Sequence, residues 1–100
     1  MKKYPTKNQQ KLIKAFSQLK TEREIKNFLR DLLTPAEIEE FSKRFQIAQL
    51  LWNTNLSYVQ IAQKVGASTA TVTRVAFWLF KENWQGYASV LKRIYGKSQR

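Results

Sequence analysis

Residues 68–74 read Ser-Thr-Ala-Thr-Val-Thr-Arg, so four small hydroxylated side chains and one guanidinium stand within seven positions. The chemistry open to them is hydrogen bonding rather than bond breaking. Hydroxyls bond phosphate oxygens or base edges, and a Thr methyl packs on a thymine methyl. Side chains this small let a helix sit deep in a major groove. Covalent chemistry has few candidates. The chain has no histidine, no cysteine and seven acids, so the usual general bases and the thiolate and imidazole metal ligands are missing. No catalytic residue, cofactor or metal is expected, and the chain reads as a binding protein and not an enzyme. Arg44, Glu37 and Asp31 read as caps and a solvated helix face.

The hydroxyl run needs a scaffold, and Leu56 to Leu79 supplies one as a helix-turn-helix, about residues 57–80. Ser57 and Gln60 form a capping box for a first helix that carries Val59, Ile61, Ala62 and Val65, with Ile61 and Val65 at inner positions. Gly66 ends that helix, where a positive φ is needed. Ser68 or Thr69 caps a second helix with Val72, Val75, Ala76 and Leu79 inward. Ala62, Gly66 and Val72 have the spacing that two closely crossing helices require: a small residue, a turn glycine and a β-branched lock. The alternative is a core helical hairpin in which Ser and Thr only cap. On the outer face, Thr69, Ala70 and Thr73 are placed for base edges. Tyr58, Gln60 and Lys64 are placed for phosphates, with Ser68 and Arg74 beside them.

Charge supports a polyanionic partner. The net charge is +11 with Lys2, Lys3, Lys7, Lys11 and Lys14 ahead of any acid and Lys92, Arg93, Lys97 and Arg100 at the other end. Six of the seven acids lie between Glu22 and Glu40. Basic ends of this kind are an electrostatic footprint for nucleic acid. No apolar run approaches membrane length and no signal-peptide core opens the chain, so a cytoplasmic protein with no membrane partner is expected.

Six helices are expected, an all-α fold. Residues 1–6 read as a basic flexible arm, ended by Pro5, and 7–96 as a single helical domain. Leu12, Ile13, Phe16 and Leu19 stripe a first helix. Thr21-Glu-Arg-Glu24 reads as a capping box before Ile25, Phe28, Leu29 and Leu32. Thr34-Pro35-Ala36-Glu37 opens a third helix to about Asn53, with Pro at the first helical position. Ile38, Phe41, Phe45, Ala48 and Trp52 form one stripe and Ile47, Leu50 and Leu51 a second. A helix apolar all round must be covered all round, and so short a chain points to a second copy for that cover. Phe77 to Phe80 is similarly apolar. A last helix runs from about Gln85 to Tyr95 and ends at Gly96.

Leu32-Leu33-Thr34-Pro35 and Gly66-Ala67-Ser68-Thr69-Ala70-Thr71-Val72-Thr73-Arg74, with the Tyr87-Ala88 pair in the last helix, resemble the trp repressor family. They look closer to its trp-repressor-like YerC/YecD-type branch. The resemblance covers about Phe28 to Ile94. It implies six helices, an intertwined homodimer and operator binding by the helix beginning near Ser68. In tryptophan-binding members an indole lies between two arginines beside a threonine. Arg44, Arg74 and Thr34 match those positions, and Ile47 and Thr71 fall in the equivalent pocket. Two positions depart: Val75 stands where those members have glycine, and Trp78 where they have the serine that holds the ligand's ammonium. These departures argue against tryptophan as a small-molecule effector.

The resulting expectation is a homodimeric regulator of transcription, a repressor of double-stranded DNA operators, unresponsive to tryptophan. The same-class alternative is the DNA-binding module of a transposase or sigma-type factor. The different-class alternative is a basic dimeric RNA-binding or protein-interaction module that keeps the fold without operator specificity.

Overall fold

The computed structural model describes residues 3–100 and forms six α-helices among them, with no strand. They are α1 (Lys7–Ser17), α2 (Glu22–Leu32), α3 (Pro35–Asn53), α4 (Tyr58–Val65), α5 (Thr69–Phe80) and α6 (Gly86–Tyr95). The chain divides into two compact units, Met1–Ile38 and Glu39–Arg100. Met1 and Lys2, the start of the expected basic arm, lie outside the described residues.

In the first unit each helix start is written in local hydrogen bonds. Thr6 caps α1 and closes a box that the sequence reading assigned to an arm. The Thr6 N–H donates to Gln9 Oε1 at 2.7 Å and the Gln9 N–H to Thr6 Oγ1 at 3.2 Å. Thr21 caps α2 as expected, but the Glu24 carboxylate accepts from the Lys20 N–H at 2.7 Å, one residue short of closing the expected box. Phe16 of α1 and Phe28 of α2 meet edge to face, with ring centroids 5.2 Å apart, a favoured aromatic geometry. No residue of either helix is buried.

At the start of α3 the box of Thr34 and Glu37 is closed: the Thr34 N–H donates to Glu37 Oε1 at 2.9 Å and the Glu37 N–H to Thr34 Oγ1 at 3.1 Å. The Thr34 backbone N–H, and then its side chain, hold the Glu37 carboxyl below the usual carboxylate value. A lowered folded value makes the box's contribution complete above the unfolded pKa and lost as pH falls through the folded one. Carboxyl NMR should therefore show Glu37 titrating below its value in the unfolded chain, with the first turn of α3 losing order as it protonates. Titration at the unfolded value would contradict this bond.

The second unit holds the core. Ile47, Ala48, Leu51 and Trp52 of α3 pack with Ile61, Ala62 and Val65 of α4, Val72, Val75, Ala76 and Leu79 of α5, and Leu91 of α6. The expected small residue, glycine and lock stand where the crossing needs them. Ala62 is buried and its carbonyl accepts from both the Gly66 and Ala67 N–H groups at 2.9 Å. Gly66 has φ +78°, and Val72 is fully buried. Val59, on the same helix, is 54% exposed. It sits two positions from Ile61, about 200° around a helix, and so points away from it.

Candidate nucleic-acid interface

Helices α4 and α5 each carry exposed polar side chains. Ser57 caps α4, and the box closes with Gln60 Oε1 accepting from the Ser57 N–H at 2.8 Å. That fixes the Gln60 carbonyl inward on the cap and leaves its amide NH₂ as the outward group. Ser68, rather than Thr69, caps α5, accepting from the Thr71 N–H at 3.1 Å and sharing a 2.9 Å hydroxyl contact with Thr71. Thr69 is thereby released from capping and becomes the first helical residue of the entering turn.

Every residue that the sequence placed at this interface is exposed: Tyr58, Gln60, Lys64, Ser68, Thr69, Ala70, Thr73 and Arg74. Tyr58 and Thr73 also line one shallow cleft with Phe77, Phe80 and Lys81. Lys81 was not among the sequence candidates, though its position at the end of α5 beside the apolar Phe77–Phe80 run was visible. The Thr73 hydroxyl donates to the Thr69 carbonyl at 3.0 Å. This back-bond commits its proton, so Thr73 offers outward a methyl group and acceptor lone pairs.

The residues matched to a ligand pocket are more dispersed in burial. Thr34 is exposed and belongs to the first unit, where it caps α3. In the second unit Ile47 and Val75 are fully buried in the core, Thr71 and Trp78 are partly buried, and Arg74 is exposed. Arg44 is engaged within its own chain. Its guanidinium pairs with Glu40 at 3.3 Å and lies 5.4 Å from the Phe41 ring centroid and 5.9 Å from that of Trp78. Tyr87, close enough to feel the Arg44 charge, is nonetheless pushed up by burial, with Arg44 opposing.

Sequence patterns missed the C-terminal strap. Residues 96–100 fold back over the end of α3. The Trp52 indole donates to the Gly96 carbonyl at 2.9 Å and the Gln99 N–H to the Trp52 carbonyl at 2.7 Å. Arg100 donates through Nε to the Leu51 carbonyl at 2.8 Å and through its terminal nitrogen to the Leu56 carbonyl. One guanidinium thus spans the last turn of α3 and the residue before the cap of α4, and at Leu51 it fills a carbonyl that a helix end leaves without a partner. A basic residue beside helix carbonyls is a known favourable pairing, but nothing in the spacing of Arg100 indicated which helix end it would reach. Arg100→Ala should lower stability by about 1.5–3 kcal/mol, the range for hydrogen bonds to a charged group. Melting curves check the loss. An unchanged melting temperature would mean that the strap does not hold the entry to α4 in solution.

Comparison with known proteins matches the family described as Trp repressor protein over residues 7–95. The chain is 35% identical over 83 residues to the uncharacterized protein YerC of Bacillus subtilis, covering 83% of this chain and 78% of that protein. Among solved structures, a TrpR-like protein from Eubacterium eligens superposes with a TM-score of 0.77 at 37% identity, covering 90% of this chain and 91% of that one. A proposed Trp repressor from Staphylococcus aureus gives 0.76 at 34% identity, covering 89% and 87%.

Proposed function

This chain belongs to the Trp repressor family, and we propose that it is a DNA-binding regulator of transcription, a repressor that acts as a homodimer. The observation that carries the reading is the outer face of α4 and α5, where all eight candidate contact residues are exposed on a two-helix unit whose inner face is core. Two such heads related by a dimer axis would address half-sites in successive major grooves, roughly 34 Å apart. Thr69, Ala70 and Thr73 read base edges in this arrangement. Tyr58, Gln60, Lys64, Ser68 and Arg74 hold the backbone, and the basic N-terminal segment adds charge.

Selection of binding sites from a random duplex pool is the test. A palindromic consensus supports the reading. Binding that weakens steeply with salt but yields no consensus supports instead a basic RNA-binding or protein-interaction dimer. One observation favours that second reading: Lys64 and Arg74 are the only basic residues between Asn53 and Phe80, a thin charge for a reading head.

The back-bonded Thr73 gives a finer expectation. With its proton committed to Thr69, its outward methyl is the reading group, packed on a thymine methyl. Thr73→Ala should relax preference at one base pair, by about five- to tenfold, within the cost of one mismatch. Thr73→Val, which keeps a methyl at that place, should retain most of the preference. If Val and Ala variants lose it equally, the hydroxyl reads the base.

A further inference from the structure

Resting on the DNA-binding reading, we propose that the strap of residues 96–100 sets the pose in which α4 and α5 meet a duplex. Arg100 and Trp52 are its positioning residues and touch no nucleic acid themselves. Helix α3 closes at Asn53, so the carbonyls of Leu50, Leu51 and Trp52 are among the last four and have no partner inside the helix. Each finds one beyond it. Thr54 donates to Leu50 through its N–H at 3.0 Å and its hydroxyl at 2.6 Å. Arg100 Nε donates to Leu51 at 2.8 Å, and the Gln99 N–H to Trp52 at 2.7 Å.

A cap on α3 needs no more than this, and Arg100 does more. Its Nη2 donates to the Leu56 carbonyl, across the 54–57 hinge and one residue ahead of Ser57, the cap of α4. A guanidinium is planar and its N–H donors are fixed in one fork. The carbonyls on either side of the hinge are therefore held at one separation, and with them the direction in which α4 leaves α3. Thr54 stiffens the same hinge from inside, its hydroxyl accepting from the Leu56 N–H at 3.3 Å. The strap is anchored at its root. The Trp52 indole donates to the Gly96 carbonyl at 2.9 Å, and Gln49 Nε2 donates to the Tyr95 hydroxyl at 2.7 Å. All of these bonds lie within one chain.

By charge alone Arg100 belongs with the basic residues that close the chain, but its Nε and Nη2 are committed to carbonyls of its own backbone. Helix α5 shares one buried core with α4 through Val72, Ala62 and Val65. A change in the direction of α4 therefore carries the entering turn of α5 with it. Base-edge contacts are directional hydrogen bonds and close apolar contacts, while attraction to phosphates is largely Coulombic and tolerates a small tilt. A loosened strap loses sequence preference before it loses general affinity.

The experiment compares Arg100→Gln, Trp52→Phe and, as a charge control, Lys97→Gln at an exposed strap position, each in the full chain and well below its melting temperature. Amide hydrogen exchange of the free protein follows the hinge. Binding to the selected duplex and to a random duplex, at one salt concentration, follows the pose. In Arg100→Gln the hydrogen-bonded amides of Leu56, Ser57, Gln60 and Ile61 should exchange at least about tenfold faster, a local opening. Affinity for the selected duplex should fall about five- to tenfold as the competent pose becomes a minor population. Affinity for the random duplex should fall no further than in Lys97→Gln, which removes the same charge. Trp52→Phe keeps the charge and an aromatic ring but loses the indole N–H. It should weaken selected-duplex binding about two- to fivefold, by the same loss of the competent pose, and leave random-duplex binding as in the parent. Equal losses on both duplexes in Arg100→Gln and Lys97→Gln would show that Arg100 acts only as a charge, and would overturn the proposal. Unchanged exchange at the hinge amides would overturn it as well, whatever the DNA results. A parent chain that selects no consensus removes the DNA-binding reading and this proposal with it, and the exchange rates then still decide whether the strap holds the hinge.

Discussion

In the analytical ultracentrifuge the chain should sediment at micromolar concentration as one species of twice its 11.8 kDa mass, and its melting temperature should rise with concentration. The reason lies in surface that one chain leaves in water. Leu12, Ile13 and Phe16 on α1 and Ile25 and Leu32 on α2 are each about 40% exposed, and neither helix buries a residue. In the second unit Phe77 is 51% and Ile94 57% exposed. Isolated helices of 11 residues are marginal in water, because nucleation is costly and packing provides most helical stability. Ordered α1 and α2 therefore call for cover on those stripes, which a second copy would provide symmetrically. Net charge of +11 per chain opposes association, so the apolar term must dominate. Interfaces of this bisected-core kind usually leave no stable folded monomer.

Ile13→Glu separates the alternatives. Glu is a good helix former, and on a solvated face it should change stability by no more than about 0.5 kcal/mol. In a symmetric interface the change occurs twice and leaves two carboxylates without water. The melting temperature should then fall by more than about 10 °C, since each kcal/mol moves a domain of this size by about 4–8 °C. A folded monomer of the unaltered chain, or an Ile13→Glu chain that melts where the parent does, would sink the dimer.

Local signals were legible in the sequence and long-range ones were not. Thr34-Pro35, Ser57 with Gln60, and Gly66 each determine a helix end by bonds within a few residues, and each end lies where the spacing puts it. The same local grammar operates at Thr6 and Gln9, which close a box one residue after Pro5, inside the segment expected to be a flexible arm. Burial was harder. Periodicity identifies which side chains share a stripe, but a stripe such as Leu12–Ile13–Phe16 is equally regular whether its cover comes from the same chain or another. Val59 is as apolar as Val65, yet its angle from Ile61 turns it to solvent. At the candidate interface the polar face was readable because eight outward residues occupy two consecutive helices. The commitments of individual atoms were not. The Thr73 back-bond, the Arg44–Glu40 pair and the reach of Arg100 to Leu51 and Leu56 depend on rotamers and on chain segments far apart in sequence.

L-Tryptophan should not bind this protein with a dissociation constant below about a millimolar, which is about −4 kcal/mol. Three of the positions that the family resemblance assigns to the ligand, Arg44, Val75 and Trp78, are filled or engaged. Arg44, matched to one of the two arginines that sandwich an indole, is paired with Glu40 at 3.3 Å and lies near the Phe41 and Trp78 rings. To meet a ligand carboxylate it would have to exchange a carboxylate and two rings for one new partner, with little net gain. Trp78 replaces the hydroxyl that would accept from the ammonium, and an ammonium brought out of water without its acceptor is penalised. Val75, where tryptophan-binding members have glycine, is fully buried in the core. It cannot be trimmed harmlessly, because Val75→Gly would open a cavity and place a glycine inside α5. The informative variant is therefore Trp78→Ser alone, which restores the hydroxyl and removes one of the rings beside Arg44. Calorimetric titration of the parent with L-tryptophan, free and on its selected DNA, should give no saturable heat. The Trp78→Ser chain should show weak binding in the millimolar range. Coupling is reciprocal, so tryptophan that raised DNA affinity in the parent would also have to bind more tightly to the complex. Either result in the parent chain would show that Arg44 gives up Glu40 for the ligand, and the account of this pocket would be wrong.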